Sequence, residues 1–93
     1  MAGNQQYQAQ LEALRELEAY LHHIDPELQN IMRAYSNKVS ELVDRGLPLE
    51  VHDKVKIEFY IPSQNLVTQS CRIINEQAIP YVRQHIQTLE RLV

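Results

Sequence analysis

The feature that most constrains this chain is an uninterrupted repeat of period seven in its first half. Tyr7, Leu14, Leu21, Leu28, Tyr35 and Leu42 follow one another at intervals of seven residues. A second apolar residue bridges each interval three or four positions on: Leu11, Leu17, Ile24, Ile31 with Met32, and Val39. Such spacing belongs to a helix that lays a narrow seam along another helix. The opposite face agrees. Its positions are Gln8, Ala9, Arg15, Glu16, His22, His23, Gln29, Asn30, Ser36 and Asn37, of which only Ala9 is not polar. A strand alternates every second residue and cannot produce that pattern.

Asn4 is a candidate N-cap for this helix. Pro26 can be read in two ways: Asp25 caps a new helix with Pro26 in its first turn, or Pro26 kinks one continuous helix. The repeat stays in phase across Pro26, which favours the kink. The end is marked by Asp44-Arg45-Gly46-Leu47-Pro48, with a basic residue, a glycine suited to the left-handed C′ position and a following proline. Helix one is thus predicted over about 4–45, roughly 60 Å at 1.5 Å per residue, with a turn at 46–50.

The next stretch is ambiguous. Val55, Ile57, Phe59 and Ile61 alternate with polar or amphipathic residues, as a strand would. Val51, Val55 and Phe59 lie four apart, as on a helical stripe, and an isolated two-stranded hairpin is marginal in water. From Leu66 onward the helical signal returns: Val67, Cys71, Ile74, Ala78, Val82, Ile86, Leu89 and Val93 step by three or four. Val67, Ala78 and Leu89 recur every eleven, a period that favours a straight stripe over a left-handed supercoil. Helix two is predicted over about 51–92, bending near Pro62 and Pro80.

Ninety-three residues make one small domain, 1–93. The net charge is −3 and no basic stripe exists, which argues against nucleic acid as the main partner. One cysteine, Cys71, excludes an internal disulfide. The N-terminal residues lack a basic region followed by an apolar one, so no conventional signal peptide is expected. No apolar run approaches membrane-spanning length. These features point to a cytoplasmic chain, with export independent of a signal peptide left open.

A glycine turn at the chain's midpoint predicts an all-α fold, a long antiparallel helical hairpin kinked at its prolines. Apolar residues lie beside the predicted seams: Leu11, Tyr20, Met32, Val39 and Val43 on the first helix, Ile73, Ile79 and Tyr81 on the second. Surplus of this kind marks a partner surface, so the hairpin is expected to pair into a four-helix bundle, as a homodimer or with another helical protein. Tyr20, Met32, Val43, Tyr60, Ile73 and Tyr81 are the candidate partner-binding residues.

Chemistry-bearing clusters are sparse. His22 and His23 point about 100° apart on a helix and cannot easily share one ion. No His-x-x-x-His or Glu-x-x-His spacing occurs. Cys71 falls on the apolar stripe, where a core role is expected. Two glycines cannot build a phosphate loop. Neither a metal, a cofactor, a small-molecule substrate nor catalysis is expected.

In outline the chain resembles the hundred-residue Trp-x-Gly helical hairpins of type VII secretion systems and the small helical partners of their larger substrates. The resemblance rests on length, long amphipathic helices and a midpoint glycine. Asp44 stands where the tryptophan would precede Gly46, and Tyr81-Val82-Arg83-Gln84-His85 carries the tyrosine of the Tyr-x-x-x-Asp/Glu export signal with His85 in the acid's place. The resemblance implies a helical adaptor, chaperone-like or targeting protein that binds a helix of a larger, secreted effector. The alternative is a self-assembling structural subunit or a small antitoxin-type regulator.

Overall fold

The computed structural model describes residues 2–92, with side chains from residue 5 onward. The first helix, α1, runs from Ala2 to Asp44 without a break. It starts two residues before Asn4, so Asn4 does not cap it. Pro26 lies inside it, on the exposed side, and the break reading is excluded.

The helix ends as its sequence demands. Gly46 has φ +110°, the left-handed region that a side chain disfavours. Leu47 N–H donates to Leu42 C=O at 2.8 Å and Gly46 N–H to Val43 C=O at 3.2 Å. These two bonds form a Schellman turn, and they satisfy carbonyls the helix end would otherwise orphan. Leu42 and Leu47, both half-buried, stand at the positions whose contact accompanies that turn. Pro48 then stands as N-cap, and Val51 and His52 donate back to its carbonyl.

The second helical run begins with α2 (Leu49–Lys54) and passes through a π-helical segment, Val55–Tyr60. It continues as α3 (Ile61–Ile73), a second π-helical segment, Ile74–Ala78, and α4 (Ile79–Leu92). No strand occurs among the described residues, so of the two readings of this stretch the helical one, taken for helix two, holds and the strand alternative does not. Each π segment stops just before an Ile-Pro pair. Ile61 N–H bonds Lys56 C=O and Ile79 N–H bonds Ile74 C=O, five residues back instead of four. Pro62 and Pro80 have no N–H to give and would crowd the carbonyl four residues earlier, and a widened turn relieves that crowding. Ser63 Oγ also donates to Phe59 C=O at 2.7 Å.

Each widened turn advances the inward face by one residue. After Val55 the next inward residue is Tyr60, while Phe59 is exposed. The predicted stripe Val51–Val55–Phe59 therefore does not form, and its two outer members face solvent. After Ile74 both half-buried Ala78 and buried Ile79 face inward, so Ile79 joins the core instead of lying beside it, and the predicted Val82, Ile86 and Leu89 follow in place. Val93, the last residue of the predicted stripe, lies outside the described residues.

The first helix needs a similar correction. Its inward residues beside the heptad positions are Leu11, Glu18, Asp25, Met32 and Val39, four after each repeat residue. Leu17 and Ile31, three after, are exposed.

The chain divides into two compact units, Met1–Asp25 with Cys71–Val93, and Pro26–Ser70. In the first, Leu11, Val82 and Ile86 are buried against one another, with Leu14, Leu21 and Leu89 packed on them. Burying one such side chain contributes about 1.5–3 kcal/mol. Polar contacts run antiparallel beside this core: Arg15 to Glu90 at 3.3 Å, Arg83 to Glu18 at 3.4 Å, Asn75 Nδ2 to Asp25 Oδ2 at 2.9 Å. In the second unit Met32 is the one buried apolar residue among those described, and Tyr35 meets Tyr60 edge to face at 5.3 Å between ring centres.

Candidate partner-binding surface

The second unit, Pro26–Ser70, carries most of the chain's exposed large apolar side chains. On its second-run side Val51, Phe59 and Leu66 are exposed, Phe59 by 52% and Leu66 by 64%. Their spacing of eight and seven keeps them in line on one flank of the inward residues. Leu49, Ile57 and Ile61 are exposed as well, spaced eight and four, and form the other flank. Ile31 of α1 is the seventh such residue. Between the flanks the seam is held by Val55, Tyr60 and Val67, all half-buried. The widened turn at Val55–Tyr60 sets this arrangement: it takes Phe59 off the seam and puts Tyr60 on it.

The candidate residues separate by exposure. Tyr20, Ile73 and Tyr81, in the first unit, lie open to solvent; Tyr81 packs its ring on His85 at 4.7 Å. Tyr60 and Val43, in the second unit, are half-buried, Tyr60 through its edge contact with Tyr35. Met32 is only 6% exposed: it points into the seam four residues after Leu28 and is not part of an outer face. Leu49, Ile57, Phe59, Ile61 and Leu66 were not among the candidates. The signal for them was present as the alternating apolar run at 47–61, but only the position of Pro62 reveals the turn that exposes it.

Several charged groups on the surface of the second unit pair with near neighbours in the chain. Lys38 meets Glu41 at 3.1 Å, Arg45 meets Glu41 at 3.6 Å and Lys54 meets Glu58 at 3.7 Å. Pairs this exposed contribute little to stability. His22 lies 3.8 Å from Glu18, His23 is exposed, and His52 Nδ1 lies 3.1 Å from Asp53 Oδ1. No three His, Cys, Asp or Glu side chains among the described residues are grouped as metal ligands would be. Cys71 is buried in the first unit. No described helix is long and apolar enough to cross a membrane.

Comparison of the chain with protein-family models, with characterised proteins and with solved structures returns no match.

Proposed function

We propose that this protein is a non-catalytic interaction module, a helical adaptor or chaperone-like partner that docks a helix of a larger protein onto its second unit. One observation carries the reading: seven large apolar side chains are exposed in a unit that buries one. Water penalises that exposure by about 25 cal/mol per Å² of apolar area, and a helix with an apolar stripe relieves it by lying along either flank. The larger partner is a secreted effector if the type VII outline holds.

A second reading is favoured by area. The same seven exposed side chains of the second unit offer apolar area to a second copy of the chain. A standard interface takes about 800 Å² from each partner, so a second copy could cover either flank and complete a four-helix bundle. This would make the protein a self-assembling subunit or small regulator.

Co-expression with the proteins encoded beside it, followed by purification and sedimentation, separates the two. The adaptor reading expects a stoichiometric complex with a larger neighbour, lost in Phe59→Asp while helicity is kept. A homodimer that ignores every neighbour supports the second reading. A monomer at micromolar concentration that binds none of them contradicts both.

A further inference from the structure

The second unit has a polar feature that the partner reading leaves unused. A small recess of about 40 Å³ is lined by Tyr35, Ser36, Val39, Ser40, His52, Val55, Lys56 and Tyr60. A broader, shallower hollow shares Ser36 and Tyr60 with it and adds Arg33, Asn37, Gln29 and Gln64. No carboxylate lines either one, although acids outnumber bases twelve to nine in the chain. The hollow of the first unit contrasts with this, since Glu18 and Glu90 face Arg15 and Arg83 there.

The cations at these two recesses are also unneutralised. Arg33 donates only to the neutral Asn30 side chain, at 3.3 Å, and Lys56 makes no ion pair among the described residues. Lys38, Arg45, Lys54, Arg15 and Arg83 each have a carboxylate within 4 Å, whereas Arg72 and Arg91, like Arg33 and Lys56, have none among the described residues. Asp53 holds Nδ1 of His52 but lines neither recess. Ser36 and Ser40 are one helical turn apart on α1, and His52, Lys56, Tyr60 and Gln64 recur every four on the facing run. The π-helical segment supplies Val55, Lys56 and Tyr60 to this wall, and such segments are frequent at functional sites.

We infer that this recess binds a phosphate-class oxyanion, with Lys56 supplying charge from its wall, Arg33 from the adjoining hollow that shares Ser36 and Tyr60, and the Ser36, Ser40 and tyrosine hydroxyls donating hydrogen bonds. Charge-assisted bonds of this kind are short and about twice as strong as neutral ones. The space suits one tetrahedral group, because a water needs about 10–15 Å³ by the same measure. The inference stands independently of the partner reading: it concerns the recess between the flanks, not the flanks.

The test is a titration of the full-length chain with inorganic phosphate at fixed ionic strength, followed amide by amide by NMR. Saturable shifts confined to residues near 33, 36, 40, 52, 56 and 60, with a dissociation constant of about 1 mM or tighter, are expected. Lys56→Gln and Arg33→Gln should each weaken binding by about tenfold or more, the loss of one charge-assisted bond. Lys54→Gln, whose lysine pairs with Glu58 outside the recess, should bind as the parent does. All three positions are exposed, and unchanged helicity verifies each fold. Phenyl phosphate binding more tightly than the free ion identifies an ester-borne phosphate as the ligand; weaker or equal binding identifies the free ion. Shifts that rise linearly and spread over all lysines and arginines, or binding unaltered by Lys56→Gln, would overturn the inference.

Discussion

The two units are built from the same two helical runs but close differently. In Met1–Asp25 with Cys71–Val93, apolar residues of both runs close a core, Leu11, Val82 and Ile86 burying one another, with the inward Glu18 and Asp25 engaged by Arg83 and Asn75. In Pro26–Ser70 the inward set is Met32, Tyr35 and Val39 against His52, Val55, Tyr60 and Gln64, of which only Met32 is buried. Alanine aside, the second unit is not poorer in apolar residues; it points more of them outward. A hairpin that keeps its grease inside has what it needs for its own stability. One that keeps it outside leaves that area to water, and that contrast is the basis of the proposed function.

Substitution should break the symmetry between the units. Ile86→Ala in the first unit should lower the stability of the isolated chain by about 2–4 kcal/mol, lost packing plus a cavity. Ile57→Ala or Leu66→Ala in the second should stay within about 0.5 kcal/mol. Urea unfolding read by circular dichroism measures both, and equal losses would erase the distinction.

The turn that closes the second unit offers the next largest effect. An added Cβ at Gly46 would meet nothing within 4 Å, so Gly46→Ala is opposed by backbone conformation alone. The expected loss is about 1–2 kcal/mol, measurable as a lower thermal midpoint. No loss at all would mean that the left-handed turn is not what ends α1.

Polar contacts sharpen the first unit's side of the comparison. Asp25 and Asn75 share a 2.9 Å bond at half-buried Asp25, and Asp25→Ala should lose about 0.5–1.5 kcal/mol. In a double-mutant cycle with Asn75→Ala the two losses should not add; full additivity would deny the bond. Arg83→Ala should matter least, about 0.2–1 kcal/mol and less at high salt, since Arg83 is largely exposed where it meets Glu18. An effect unchanged in 1 M salt would assign the residue a packing role instead.

Much of the fold was legible because helical periodicity is a local signal. The heptad from Tyr7 to Leu42 gave α1, and Gly46 with Pro48 gave the turn. What escaped was phase. The choice between Leu17 and Glu18, or Ile31 and Met32, for the second seam position depends on where the facing run lies, and no local rule prefers a half-buried Glu18 to Leu17. On the second run Tyr60 takes the seam in place of Phe59, and Ile79 joins Ala78 on it, because Pro62 and Pro80 each widen the preceding turn. The prolines were visible and were read as bends. The turn before Pro62 exposes Phe59 and builds Lys56 and Tyr60 into the recess, while beyond each proline the predicted stripe (Val67, Cys71, Ile74; Val82, Ile86, Leu89) holds.

Native-state hydrogen exchange on the isolated chain at low micromolar concentration tests the contrast most directly. Amides exchange through local openings, and units with little buried apolar surface open most easily. The account predicts slow exchange at 7–25 and 71–90, faster exchange across 28–68, and added protection across 28–68 when the partner helix binds. Uniform slow exchange over both units, unchanged on binding, would contradict it.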